Sequence, residues 1–502
     1  MKRKNRFVAN TFLLTAVTLI MRAVSISFNV YIAGKIGAQG MGLFSLVMSV
    51  YSFGVTFACS GINLASTKIV SEEIAYKNEN GIKRAINKAI IYSLFFGTIA
   101  FSLIFFGASY VGNVILSDAR TVMPLKILSV SLPCVSLSSA ISGYFNAVGR
   151  VYKGAAVQVL EQFIRISGCV LLLNLSKASS SLNACICVVL SGSIAEFLSF
   201  IVIFIVYRLD VTRYKKGKSG EKITKRLLGV ALPIAVSSYA RSGLSTIEHS
   251  MIPKGLKKNL GNSELALSAY GVVHGMVMPL IFFPSSILQA FSTLLVPELT
   301  IYSKTATTRK ISSLIENSLY ATMVFSIGCS GIMFFFADEI GMYTYKSREV
   351  AYFLKILAPL AALMYADEVV DAVLKGLNQQ VYSMGYNIFD SALAIVLILF
   401  LLPSKGIYGY ILIIYITEMT NAFLSINRLI YVADFKIRPI KWTLIPTLCI
   451  TVSSYFIKSF LRKGATAPVF AIILVFFIYL AVMLIFFFGD RLKSTIAKRS
   501  LM

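Results

Sequence analysis

The feature that most constrains this chain is a series of apolar runs, each about 20 or more residues long, separated by short polar or charged connections. Runs of that length match the hydrocarbon thickness of a bilayer, where every backbone amide must find its partner within the protein. Only α-helices or a closed β-barrel meet that demand, and these runs lack the alternation of barrel strands. Hydrophobic residues make up 57% of the 502 and charged residues only 14%. Too little polar surface exists to coat soluble domains of this total size.

The runs fall at 7–33, 40–65, 86–110, 122–147, 154–175, 182–207, 229–252, 269–297, 316–337, 349–374, 381–402, 406–430, 442–460 and 468–488. Fourteen transmembrane helices are therefore expected. The first run is too long for the h-region of a signal peptide and no small-residue cleavage site follows it, so it reads as the first span. The net charge of +26 would suggest nucleic acid in a soluble protein. Here most Lys and Arg lie in alternate connections, including Lys2 to Arg6, Lys68 to Lys88, Arg208 to Arg226, Lys436 to Lys441 and the tail from Arg491. That is the positive-inside pattern, so nucleic acid is not expected as a partner. It predicts a multi-pass cell-membrane protein with both termini cytoplasmic. The seven Cys lie in or near apolar runs and read as small buried side chains.

The sequence also repeats. Leu125-Lys126-Ile127-Leu128 recurs as Leu354-Lys355-Ile356-Leu357, an offset of 229 residues (125 to 354). The same offset pairs Gly42 with Gly271, Glu161 with Asp390, and Ala147-Val148-Gly149 with Gly376-Leu377-Asn378. One helix earlier the offset is 219 and pairs Arg22 with Arg241, the difference lying in the connection 253–268. An even number of spans per half gives parallel repeats, an arrangement that transporters use. The expected organisation is an N-terminal six-helix lobe (1–228), a second six-helix lobe (229–433), and two extra helices with a basic cytoplasmic tail (434–502).

Ionisable residues inside apolar spans are costly and so mark function by default. They are Arg22, Glu161, Arg165, Glu196, Arg241, Glu248, Asp367, Glu368, Asp371, Asp390 and Glu418. Arg165 follows Glu161 by one helical turn, a spacing at which the pair neutralises itself. Asp367, Glu368 and Asp371 crowd the tenth span. With Glu161, Arg165 and Asp390 they are candidate coupling or gating residues, served by the membrane potential or a monovalent cation. Arg22 and Arg241 stand midway along the first span of each half, with no carboxylate one turn away. Two guanidinium groups of this kind suit an anionic substrate, because each offers a fork of donors to two phosphate oxygens. His249 and His274 read as packed residues. No catalytic or nucleotide-binding motif is present, so neither a cofactor, a metal nor an enzymatic activity is expected.

Several stretches resemble the multidrug/oligosaccharidyl-lipid/polysaccharide (MOP) exporter superfamily. They are Arg22, the segment Gly37-Ala38-Gln39-Gly40-Met41-Gly42-Leu43-Phe44-Ser45, the segment from Ala269-Tyr270-Gly271 through Pro279 to Pro284, and Leu295-Val296-Pro297-Glu298. Within it, the likeness is to the stage V sporulation protein B branch of polysaccharide transporters, neighbours of the lipid II flippases. The resemblance implies an all-α membrane fold of two pseudo-symmetric six-helix bundles around a central cavity, plus two C-terminal helices. It also implies outward flipping of undecaprenyl-pyrophosphate-linked sugars by alternating access, with Arg22 matching a substrate-phosphate residue. A second arginine of that helix, six residues on, is replaced by Phe28. Two other functions compete. One is a cation-coupled multidrug exporter of the same fold, which would use the acidic tenth span. The other is a membrane-embedded polysaccharide polymerase, which would need a large outer loop.

The charge asymmetry generates a direct test. In a background whose native cysteines are unreactive, Ser219→Cys is expected to react with an impermeant thiol reagent only from the cytoplasmic side, and Thr466→Cys only from outside. Labelling of Ser219→Cys in intact cells contradicts the orientation.

Overall fold

A computed structural model of the chain describes all residues except 1, 77, 177–179, 213–222, 306–307, 436–437, 462–469 and 484–502. Ser219, Thr466 and the tail from Arg491 lie outside the described residues. The described part is helical and contains no β-strand. In order the helices are α1 (Lys2–Cys59), α2 (Ile62–Ala75), α3 (Glu79–Tyr110), α4 (Val122–Ser129), α5 (Leu132–Ala147), α6 (Val151–Ser176), α7 (Ser181–Val211) and α8 (Ile223–Leu260). They continue with α9 (Ser263–Tyr270), a π-helical segment (Gly271–Val277), α10 (Met278–Thr305), α11 (Thr308–Phe335), α12 (Ala337–Thr344), α13 (Arg348–Gly376), α14 (Gln380–Val432) and α15 (Ile445–Leu461).

Among the described residues, every apolar run read from the sequence falls on helix. Taken as unbroken helices, nine among the described residues are long and apolar enough to cross a membrane, or ten with the bent pair α4–α5. Two of these are far too long for one crossing. At 1.5 Å per residue, the 58 residues of α1 and the 53 of α14 would each extend about 80 Å, against a hydrocarbon core of about 30 Å. Each is broken by a glycine in a conformation other residues avoid: Gly37 (φ 70°, ψ 178°) and Gly406 (φ 56°, ψ −132°). Each therefore supplies two spans. The tenth span, α13, is not among the nine, and the last, Phe470–Met483, is short. The chain is an all-α, multi-pass membrane protein.

The duplication is written in the backbone. Gly149 (φ 73°) and Asn378 (φ 62°) are both left-handed and end equivalent helices. The turn at the first has the bonds Val148 N–H to Tyr144 C=O (3.0 Å) and Arg150 N–H to Phe145 C=O (2.9 Å). The second has Leu377 N–H to Val373 C=O (2.9 Å) and Gln379 N–H to Leu374 C=O (2.8 Å), the same atoms 229 residues on. Ser117 (φ 56°) and Lys346 (φ 51°) repeat the match, each followed by a side chain that caps the next helix, Asp118 and Ser347.

Two compact units are present: residues 1–276 with 391–410, and residues 277–390 with 411–502. In lipid there is little hydrophobic gain in bringing helices together, so close packing and interhelical hydrogen bonds must hold each unit. In the first unit the Ser136 hydroxyl lies 2.8 Å from the carbonyls of both Ala58 and Ser93, and Ser66 donates to Ala140 C=O (3.0 Å). Asp210, its side chain fully buried at the end of α7, accepts from Lys153 (2.7 Å), Tyr144 (2.9 Å) and Arg150. In the second unit Ser330 donates to Ala358 C=O (2.7 Å), and Tyr365 donates to Ile281 C=O. Tyr479 of the final helical segment donates to Val324 C=O (2.7 Å).

The closest backbone approach at a glycine in the first unit joins the second span, in α1, to α9 and the start of the π segment. A methyl group at Gly42 would sit 2.1 Å from the carbonyl oxygen of Leu267, and one at Gly271 would sit 2.0 Å from that of Ala38. Ala38 and Leu267 are themselves 229 apart, as are Gly42 and Gly271. The contact is reciprocal, each repeat presenting the same two residues to the other. Gly42→Ala or Gly271→Ala is expected to cost at least the 1–3 kcal/mol typical of overpacking, because backbone rather than a rotatable side chain blocks the methyl. Thermal unfolding of detergent-purified variants should show clearly lowered midpoints. Gly192→Ala, with no atom within 4 Å of the added carbon, should match the parent.

Candidate functional site

Arg22 and Arg241 both belong to the first unit and both are exposed, on α1 and α8 respectively. Arg22 shares a helix face with Ser25 and Asn29. Ser25 receives a hydrogen bond from Gln162 of α6 (3.5 Å), and Asn29 donates to the Gly275 carbonyl of the π segment (3.3 Å). The guanidinium thus projects from the face of α1 that other helices hold in place.

α8 meets the second half of α1 through Tyr239, stacked on Phe57 at 5.0 Å, and through Thr246, which donates to Ser49 C=O (3.1 Å). Arg241 lies about 200° around the helix from Tyr239, away from that seam. Glu248, two turns on, shares the Arg241 face.

Glu161 and Arg165 pair as their spacing predicts, at 2.6 Å. A third member joins them: Arg165 reaches Glu196 of α7 at 3.0 Å. All three are half-buried, and Glu196 and Glu161 lie within electrostatic reach of the Tyr51 hydroxyl on α1, which is hydrogen-bonded to Ser131 at 2.7 Å. One guanidinium serves two carboxylates, so the helix pair α6–α7 is tied by a group with an acidic surplus. Sequence spacing showed the first pair but could not show Glu196, which is 31 residues from Arg165 along the chain.

The acidic residues of the tenth span gather partners within the second unit. Asp371 pairs with Lys375 (3.3 Å) and accepts from Ser383. Asp367 accepts from Asn421 of α14 (2.9 Å), with Ser425, Asp371 and Asp390 close by. Glu368 lies one residue along α13 and is half-buried. Asp367 Oδ1, Asp390 Oδ1 and Asn421 Oδ1 are shielded from solvent and lack a donor among the described residues. Three acceptor oxygens without donors in a membrane-embedded region are the chemistry of a cation or proton site. Asn421 and Ser425 do not stand out in the sequence, because uncharged polar residues are common in membrane helices.

His249 and His274 are not isolated packed residues. Their rings lie 4.3 Å apart between centroids, and Tyr270 stacks on His274 at 5.1 Å. Both are more than 20 residues apart in sequence, so no local pattern exposes the pairing.

The model of a family described as polysaccharide biosynthesis protein matches residues 7–254. The chain is 25% identical to stage V sporulation protein B of Bacillus subtilis (strain 168), over 93% of this chain and 92% of that protein. It is 22% identical to lipid II flippase MurJ of the same organism, over 84% of this chain and 83% of that one. A solved structure of lipid II flippase MurJ in an inward closed conformation superposes with a TM-score of 0.72 at 14% identity, covering 96% of this chain and all of the other. The chain has the fold of transporters of the MOP superfamily. It is related to stage V sporulation protein B and to the lipid II flippases, and shares their fold along nearly its whole length.

The three-residue ion group offers a test. Removing one partner of a buried ion pair costs up to about 3–5 kcal/mol, and partial exposure lowers that here. Arg165→Ala, which strands two carboxylates, is expected to reduce yield and lower the unfolding temperature. Combining it with Glu161→Gln and Glu196→Gln should restore much of both. A triple variant no better than Arg165→Ala means the group is not held by charge balance.

Proposed function

We propose that this protein is a flippase for a lipid-linked cell-wall or polysaccharide precursor, a sugar carried on undecaprenyl pyrophosphate. It would move the precursor from the inner to the outer leaflet by alternating access, with both termini cytoplasmic. The observation that carries this reading is Arg22: a mid-span, exposed guanidinium in a chain alike along most of its length to a lipid II flippase. A diphosphate is the part of such a substrate that cannot enter hydrocarbon unpaired, and arginine matches it with two parallel donors. Arg241, its counterpart in the second repeat, supplies the second cation. The lipid tail needs no protein site, since it stays among other tails.

The acidic groups have a complementary role in this reading. Glu161 and Arg165 with Glu196, and Asp367, Glu368, Asp371 and Asp390, are coupling or gating elements. A monovalent cation at the unfilled oxygens of Asp367, Asp390 and Asn421 would favour one state of the cycle, and its release another. The membrane potential acts on the same charges.

The test is flipping of polyprenyl-pyrophosphate sugars in proteoliposomes. Arg22→Ala and Arg241→Ala should each lower the rate at least ten-fold while insertion is unchanged, since losing a mid-membrane charge does not impair insertion. Lys at either place should restore only part, having the charge but not the fork. The double Ala variant should be little worse than either single, as befits two residues on one group. Normal flipping by both single variants at parental abundance removes the arginines from the substrate site.

A further inference from the structure

The chain has only two histidines in 502 residues, and the fold puts them together. His249 of α8 and His274 of the π segment lie 4.3 Å apart between ring centroids, their planes inclined at 50°. Tyr270 stacks nearly parallel on His274, at 5.1 Å and 8°, and lies 6.4 Å from Tyr410. Tyr270 is 0% and Tyr410 4% exposed. His249 Nδ1 and the Tyr270 hydroxyl are shielded from solvent and have no hydrogen-bond partner among the described residues. Buried polar atoms without partners cost about 1–3 kcal/mol each, and π turns concentrate at functional places. Packing alone would favour an apolar residue at both positions.

We infer that His249 and His274 form a site for a single proton, and that its occupancy controls the neighbouring crossing of α1 with the π segment. Two imidazoles at this separation can hold one proton between them. A second is opposed by like-charge repulsion of about 4 kcal/mol at 4 Å and an effective dielectric of 20. The charged pair has fitting surroundings. The face of Tyr270 lies against His274, a cation–π arrangement once that ring is protonated. Glu248 on α8 is within electrostatic reach of both Tyr270 and Tyr410. The ionisable group against the pair is therefore Tyr270 of α9, with Tyr410 of α14 and Glu248 of α8 next to that tyrosine. From α1 the neighbours of this stretch are Met41, Ser45 and Asn29, none of which ionises.

The position gives the proton its leverage. His274 follows Gly271 by one turn, and the adjacent Gly275 carbonyl holds Asn29. Charging the ring changes the electrostatics of the segment whose backbone touches Gly42. The role in transport rests on the flippase reading; the proton site does not.

Full-length protein labelled with 15N-histidine and held in lipid nanodiscs should give just two imidazole spin systems. The expected result is one shared transition, with one proton bound per chain. In His274→Gln, the remaining His249 should titrate at a different pH or not at all. Rings that stay neutral throughout, or that titrate as two independent groups, overturn the site. In proteoliposomes, the parental flipping rate should change at least three-fold across that transition. The His249→Gln/His274→Gln double variant should be flat. A parental rate that is flat, or an equal pH response in the double variant, overturns the control of the crossing. Should the pair titrate as one site while the parent flips no lipid-linked sugar, the flippase reading falls and the proton site stands.

Discussion

Everything in the first unit depends on how closely two backbones can approach where Gly42 meets the π segment. Membrane helices gain little from hiding apolar side chains from surroundings that are themselves apolar. What remains is dispersion between atoms in contact and the hydrogen bonds that contact permits. Both fall away steeply with distance, so the absence of two methyl groups decides whether the crossing forms at all. Asn29 can reach the Gly275 carbonyl only because the helices lie this close. The arginine two turns before Asn29 is oriented by the same face.

Reciprocity adds a further property. Gly42 with Leu267, and Gly271 with Ala38, are one contact made twice about a local two-fold relation. The repeat is thus more than a relic of ancestry, because it places equivalent residues on a common axis. An arrangement of this kind naturally offers two of everything, including two mid-span arginines.

Much of the fold was legible in the residues. Length and apolarity gave the spans, and the offset of 229 gave the duplication, down to left-handed turns at Gly149 and Asn378. The π segment was not legible, because its backbone differs from an α-helix by one hydrogen-bond step that no side-chain pattern announces. Within the connection from Ser66 to Lys88, α2 ends and α3 begins near Asn78, whose side chain caps α3 and bonds Glu73. The Glu161–Arg165 pair was visible from helical spacing alone, whereas Glu196, Asn421 and the histidine pair depend on helices brought together by tertiary packing. Charge marks a residue as expensive, but only the fold says who shares the expense.

The breaks at Gly37 and Gly406 carry a mechanical consequence. A flexible connection of n residues gives its flanking spans slack of up to about 3.3–3.6 Å for each residue. Here successive spans are joined through a single non-helical residue, so the slack is close to nil. Neither member of such a pair can slide along the membrane normal without dragging the other. The first two spans, and likewise the eleventh and twelfth, are geared together: a piston stroke is forbidden to either alone, and tilting about the glycine is the freedom left to them.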